Sequence, residues 1–78
     1  MPNLSKQVST RQAKMEWLAN NRHLWLFKSD AELRNHKVLN PIADQMKQEG
    51  LYSKETYNYD ICFSIRKMIH EIKQGAIA

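Results

Sequence analysis

The chain is poor in the residues that build disulfide scaffolds and phosphate-binding loops. It has 78 residues, with one cysteine, two glycines and two prolines. The single Cys62 cannot form a disulfide within the chain, which favours a reducing compartment such as the cytoplasm. The two glycines, Gly50 and Gly75, are too few for a glycine-rich nucleotide loop. A disulfide-stapled scaffold and a nucleotide-binding loop are therefore excluded.

Long apolar runs are also missing. No segment approaches the roughly 20 apolar residues that a transmembrane helix needs. The N-terminal sequence MPNLSKQVST lacks the apolar core of a signal peptide. The sequence therefore predicts no membrane partner.

Metal-ligand spacing is absent from the histidines and the cysteine. Cys62 and His70 lie eight residues apart, which is about 12 Å along a helix, too far to share a metal ion. Neither His23 nor His36 has a Cys or His at ligand spacing. We therefore expect no metal, no cofactor and no catalytic centre, and an enzyme is the least favoured class.

What the chain does contain is the pattern of a small helical domain. Apolar residues make up 42% and charged residues 26% of the sequence, as is typical of globular chains. Residues 1–8 predict a flexible leader, and residues 9–78 predict a single all-α domain, a bundle of three to four helices. Ser9 with Gln12 fits a capping box that begins the first helix. Asn20-Asn21 predicts its end, in the left-handed conformation that Asn tolerates.

The densest apolar cluster, His23-Leu24-Trp25-Leu26-Phe27, has no single interpretation from periodicity. A short strand, an extended buried connector and a continuation of the first helix all fit. A lone strand would leave backbone groups unpaired, so we expect a buried connector that anchors the core through Trp25 and Phe27. The alternative is an exposed aromatic platform on which bases stack.

Caps and breakers predict two further helices after this cluster. Ser29 with Glu32 fits a second capping box, and the proline at position 41 predicts that this helix stops by about Leu39. Asn40 would then cap a third helix, with Pro41 at its first position. Gly50 would end it in the left-handed conformation, with Leu51 folding back onto Met46.

The last helix carries the strongest periodic signal. Ser53 is the predicted N-cap, although a start at Asn58 also fits. Gly75 predicts the end of the helix. The apolar stripe advances by three or four residues throughout. Its members are Tyr57, Ile61, Ile65, Met68, Ile69 and Ile72.

Positive charge is concentrated in the first half of the chain. Residues 1–40 carry seven Lys or Arg against three Asp or Glu, a net charge of +4, whereas residues 41–78 carry five of each. Such asymmetry favours a polyanionic partner.

The residues Ile42-Ala43, Met46, Ser53-Lys54-Glu55-Thr56-Tyr57 and Ile61 resemble the core pattern of helix-turn-helix DNA-binding domains. The sequence departs from that pattern in a turn about four residues longer than usual and in Tyr57, where a small aliphatic residue is usual. A fainter similarity to Myb/SANT-like trihelical domains rests on Leu24-Trp25 ahead of an Ile-Ala helix and on a basic last helix.

The resemblance implies a small DNA-binding regulatory protein, of phage, plasmid or microbial origin, that acts as a homodimer on double-stranded DNA. The residues expected to contact bases are Lys54, Glu55, Asn58 and Tyr59. The cations expected to contact phosphates are Arg11, Lys14, Arg34, Lys37 and Arg66.

A second hypothesis is a helical protein-interaction module, such as an inhibitor or adaptor. Trp25, Phe27, Tyr52 or Tyr59 would then dock against a larger partner. Exposure of the Trp25–Phe27 cluster favours this hypothesis, whereas a continuous basic face favours DNA.

Overall fold

The computed structural model describes residues 10–75, in which every regular element is helical. The four α-helices are α1 (Arg11–Asn20), α2 (Asp30–Leu33), α3 (His36–Gln48) and α4 (Asn58–Lys73), and a short 3-10 helix spans Arg22–Leu24. The described part of the chain contains no strand, so the all-α prediction is confirmed. The predicted leader, residues 1–8, and Ser9 lie outside the described residues.

A single hydrophobic core lies between α1, α3 and α4, and α4 supplies the largest share of it. The buried residues of α4 are Ile61, Cys62, Ile65, Met68, Ile69 and Ile72. From Ile61 onward, the predicted stripe is therefore confirmed. No polar or charged side chain is buried among residues 10–75, and none of the described helices is long and apolar enough to cross a membrane.

The start of α1 is set by Thr10, so the prediction that Ser9 caps this helix is wrong. The Thr10 hydroxyl accepts a hydrogen bond from the Ala13 backbone N–H at 3.1 Å, as an N-cap does. The predicted end is confirmed, because α1 stops at Asn20 with Asn21 as its C-cap. Asn21 has φ −117° rather than a left-handed conformation, and its side chain donates to the Trp17 carbonyl instead.

The aromatic cluster after α1 divides between the core and the surface. Trp25 is 1% exposed, and its indole N–H donates to the Leu18 carbonyl at 2.9 Å. Phe27, by contrast, is 89% exposed, so the prediction that it anchors the core is wrong. The Lys28 N–H bonds to the Trp25 carbonyl, and this turn leaves Phe27 on its outside.

Two helix boundaries in the middle of the chain, the end of α2 and the start of α3, differ from the prediction. The Ser29–Glu32 capping box is confirmed, but α2 ends at Leu33. The prediction that Asn40 caps a helix beginning at Pro41 is wrong, since Asn35 caps α3 and Pro41 lies inside it. Proline there removes one helical hydrogen bond. Burial of the side chains on the inner face of α3 offsets that loss.

The end of α3 is a Schellman motif, as predicted. Gly50 has φ +80°, its N–H donates to the Lys47 carbonyl, and the Leu51 N–H donates to the Met46 carbonyl. These are the two bonds that define the motif.

The start of α4 differs from the prediction. Ser53 does not cap it, because the Ser53 hydroxyl is engaged with Glu55 in a local turn. The helix begins at Asn58 after Tyr57, which was the alternative start. Tyr57 is 76% exposed, so the prediction that it belongs to the buried stripe is wrong.

Helices α3 and α4 run in opposite directions. Asn58 at the start of α4 bonds to Asp44, whereas Cys62, one turn later, contacts Asn40 and the His36 carbonyl, nearer the start of α3. This antiparallel pair places the start of α3 beside the middle of α4.

Candidate functional site

The exposed face of α4 carries aromatic and basic side chains at helical spacing. We define the α4 outer stripe as Tyr59, Phe63, Arg66, Lys67 and His70. These positions recur every three or four residues and therefore share one face. All are exposed except Arg66, which is half-buried. From first to last they extend about 16 Å along the helix.

An open groove lies beside this stripe, between α4 on one side and α2 with Arg34, the residue that follows it, on the other. Its volume is about 570 Å³. Leu33 and Ile69 give it an apolar lining, while Arg34, Arg66 and Lys67 supply cations. A smaller cavity of about 150 Å³ is also lined by Arg34 and Arg66, together with aromatic residues of the stripe. The two arginines therefore link the groove to the aromatic rings.

The charge of the groove is positive because its acids already have partners. Asp30 lies 4.0 Å from the Lys73 ammonium. Glu71 accepts two hydrogen bonds from the Arg11 guanidinium, at 2.8 and 2.5 Å, and these bonds lower the pKa of Glu71. Within residues 10–75, Arg34, Arg66 and Lys67 form no ion pair. Three cations thus line the groove without a direct ion pair among the described residues.

The aromatic rings of the stripe are held in defined positions. Tyr59 stacks on His36, with ring centroids 4.4 Å apart and planes inclined by 20°. Phe63 has the Arg66 guanidinium carbon 5.1 Å and the Lys67 ammonium 4.8 Å from its ring centroid. Tyr59 remains 63% exposed and Phe63 50% exposed, so the protein covers only part of each ring.

The four residues expected to contact bases do not lie together on one helix. Lys54 and Glu55 are in the connection before α4, so the prediction that they belong to a recognition helix starting at Ser53 is wrong. Asn58 donates its amide N–H to Asp44 at 2.8 Å, and its buried Oδ1 has no partner in the described structure. Tyr59 alone belongs to the α4 outer stripe.

The five cations expected to contact phosphates also separate. Arg34 and Arg66 meet at the groove, and Lys37 is exposed in the first turn of α3. Arg11 is bound to Glu71, as described above. The Lys14 ammonium lies 4.2 Å from the Tyr52 ring centroid, and partial burial lowers the pKa of Lys14. Arg11 and Lys14 are therefore engaged within the fold.

Four members of this site were not among the predicted contacts: His36, Phe63, Lys67 and His70. The sequence does contain one signal for Phe63. It is an aromatic residue placed off the apolar stripe that Ile61 and Ile65 define, and a helix has no structural need for an aromatic side chain on its outer face. Nothing in the sequence indicates the pairing of His36 with Tyr59, because residues so far apart in the chain meet only through the packing of α3 on α4.

The one cysteine of the chain lies in the core of the fold. The Cys62 sulfur is buried, 3.5 Å from Asn40 Oδ1, and burial raises the pKa of the thiol. A raised pKa disfavours the reactive thiolate. Residues 10–75 contain no cluster of three His, Cys, Asp or Glu side chains suited to a metal ion.

Comparison with protein-family models, with characterised proteins and with solved structures finds no match to this chain. The chemistry of the α4 outer stripe and its groove is therefore the basis for assigning a function.

Proposed function

We propose that this protein binds DNA through the α4 outer stripe and the adjoining groove. The observation that carries the proposal is the meeting of Arg34 and Arg66 at a groove beside the partly uncovered rings of Tyr59 and Phe63. When protein cations neutralise phosphates, counterions are released from the nucleic acid, and this release increases the affinity of binding. Aromatic rings add contacts to bases or sugars. The combination suits a nucleic acid better than a simple anion.

The charges on α4 indicate which part of the helix faces the ligand. Its first turn contains Asp60, and Asp44 lies beside Asn58 through their hydrogen bond. These carboxylates repel phosphates. Arg66 and Lys67 lie in the second half of the helix. The cations of the proposed contact therefore lie in the second half of α4, and only Tyr59 contributes from the N-terminal end, which is the end that a helix-turn-helix domain inserts into the major groove.

The proposal includes a regulatory role as a homodimer. A single stripe about 16 Å long contacts few nucleotides and supplies little specificity on its own. Two copies on adjacent sites would double the number of contacts, as paired half-sites do in other small DNA-binding proteins. Occupation of such a site would be the mechanism of regulation.

A salt series with mixed-sequence DNA, supplied both as duplex and as single strands, tests the proposal. Affinity should fall steeply as salt rises, because phosphate contacts release counterions. Arg66→Ala and Arg34→Ala should each weaken binding and reduce the salt slope by about 1. Lys54→Ala is the matched control, since Lys54 is an exposed cation in the connection before α4.

Two results would contradict the proposal. The first is no detectable binding to either form of DNA at about 50 mM salt. The second is an equal loss for Arg66→Ala and Lys54→Ala, which would mean that the α4 outer stripe is not the contact surface.

A second candidate function, a protein-interaction module, is favoured by the exposure of Leu26 and Phe27. Leu26 is 46% and Phe27 89% exposed, and adjacent uncovered apolar side chains are typical of binding surfaces. The variant Phe27→Ser separates the two functions. It should abolish association with a protein partner and leave the affinity for DNA unchanged.

A further inference from the structure

We infer that the ligand of the α4 outer stripe is a single-stranded nucleic acid, whose bases stack on Tyr59 and Phe63. This inference rests on the proposed function and specifies the form of its ligand. Base faces are hidden in a duplex, whereas a single strand offers them to aromatic side chains. The exposed rings of this protein therefore suit a single strand better than a duplex.

The first ring, Tyr59, has the geometry of a fixed stacking platform. Its inner face rests on His36, with planes inclined by 20°, and the residue remains 63% exposed. A ring already held in place loses little rotational freedom when a base covers its outer face. Stacking on Tyr59 would add a base to an existing pair of rings.

The second ring, Phe63, lies one helical turn further along α4. Its Cβ is expected about 6 Å from that of Tyr59, so successive bases of one strand can reach both rings. Phe63 is 50% exposed although it has no polar group. Water gains no hydrogen bond from this ring, and a base stacked on it would replace that water.

The cations lie next to the rings and can follow the phosphates of such a strand. Arg66 and Lys67 lie over the Phe63 ring, 5.1 and 4.8 Å from its centroid, so a base that stacks on this ring displaces one of these flexible side chains. Arg34 lines both the small cavity at the rings and the larger groove. A strand stacked on the rings would thus have its backbone directed into a positive groove. This alternation of rings and cations is the pattern of single-strand binders.

A duplex fits the same surface less well. Its phosphates are on the outside of the helix, so a duplex would meet the rings and the cations together with its charged backbone. The rings would then contact sugars and phosphates instead of base faces. The Asp60 carboxylate in the first turn of α4 would also oppose a broad, doubly charged backbone more than a single narrow strand.

The test compares three labelled ligands by fluorescence anisotropy at low salt. They are oligothymidine and oligouridine of about 12 nucleotides, within the range of known single-strand sites, and a mixed-sequence DNA duplex of the same length. Both single strands present free base faces. A comparison of their affinities shows whether the protein distinguishes DNA from RNA. We expect both to bind at least about tenfold more tightly than the duplex.

Variants of the rings give the sharper measurement. Tyr59→Leu and Phe63→Leu keep an apolar side chain and remove the aromatic face, and each should weaken single-strand binding about tenfold. Tyr57→Leu is the matched control, because Tyr57 is 76% exposed, only two residues from Tyr59, and outside the stripe. Circular dichroism melts confirm that each variant is folded before its affinity is measured.

The outcomes separate the two proposals. Equal or tighter binding of the duplex, with no effect of Tyr59→Leu or Phe63→Leu, would overturn the single-strand inference and leave DNA binding in place. No binding of any of the three ligands would overturn both. Equal losses for Tyr57→Leu and Tyr59→Leu would mean that stacking does not occur at the stripe, and would overturn the inference as well.

Discussion

The two faces of α4 use apolar side chains in different ways. The inner face presents aliphatic residues, of which Ile61, Ile65 and Met68 are all 0% exposed. The outer face presents Phe63, which is 50% exposed, within a set of basic residues. Both faces run the length of the same helix, so helix propensity cannot account for the difference.

The difference shows which apolar surface serves folding. Burial of an aliphatic side chain contributes about 1.5–3 kcal/mol to stability, and the inner face obtains that contribution in full. Phe63 leaves half of its surface in water and gains much less from burial, with weak contacts from Arg66 and Lys67 over its ring. Its exposed surface is available to a ligand.

The largest expected effect contrasts one residue from each face. Ile65→Ala should lower the free energy of unfolding by about 2–5 kcal/mol, because it removes buried methyl groups and leaves a cavity. Phe63→Ala should change it by no more than about 0.5 kcal/mol, as surface substitutions do. Urea denaturation followed by circular dichroism measures both. Comparable losses for the two variants would show that the outer face is also part of the core.

Chemical modification of thiols sharpens the same contrast. Cys62 lies on the inner face and is 3% exposed, and burial raises the pKa of its thiol. In the variant Phe63→Cys, the new thiol should react with a disulfide reagent at least about 100-fold faster than Cys62, since Cys62 reacts only when the fold opens locally. Two well-separated phases are expected; a single fast phase would mean that α4 detaches readily from α3.

Most of the inner face could be predicted from the sequence, and most of the outer face could not. The stripe from Ile61 to Ile72 and the Gly50 ending follow from local spacing and from backbone preferences, which act over a few residues. The start of α4 was misplaced because Ser53 has the chemistry of a cap but uses its hydroxyl in a turn with Glu55. The chemistry of Ser53 allows it to be either an N-cap or a turn residue, so the sequence alone did not decide between them.

The site depended on contacts between distant parts of the chain. Arg34 and Arg66 were each predicted to contact phosphates, but their meeting at one groove requires the antiparallel packing of α4 on α3. The exposure of Phe27 depends on how the chain turns after Trp25, and hydrophobicity alone assigned it to the core. Tertiary packing decides where these side chains lie, and the spacing of residues in the sequence does not predict that packing.

The Gly50 turn ends α3, and a substitution there should lower the stability of the whole fold without favouring either face of α4. Gly50 has φ +80°, and a Cβ at this position would meet no atom within 4 Å. Gly50→Ala should therefore destabilise the fold through backbone strain alone, by about 1–2 kcal/mol. Thermal melts measure the loss. Below the transition, affinity for oligothymidine should be unchanged; altered affinity in the folded variant would show that the turn also positions the outer stripe.

The smallest expected effect lies at the border of the two faces, where Glu71 of α4 binds Arg11 of α1. Hydrogen bonds from the Arg11 guanidinium lower the pKa of Glu71 below its ordinary value, so the folded state holds the carboxylate more strongly than the unfolded chain does. The resulting stabilisation is complete above the ordinary glutamate pKa of about 4.3. It is lost as the pH falls through the lower pKa of the folded state.

Melting temperatures of the natural protein and of Glu71→Gln measure this effect, because the difference between them removes the contribution of every other carboxylate. The natural protein should melt at the higher temperature at neutral pH, and the two should converge as the pH falls below the lowered pKa of Glu71 in the folded state. Both residues are largely exposed, with side chains 51% and 44% accessible, so the difference should be small and should shrink further in high salt. A difference that stays constant with pH would show that Glu71 contributes through packing against α1 rather than through its charge.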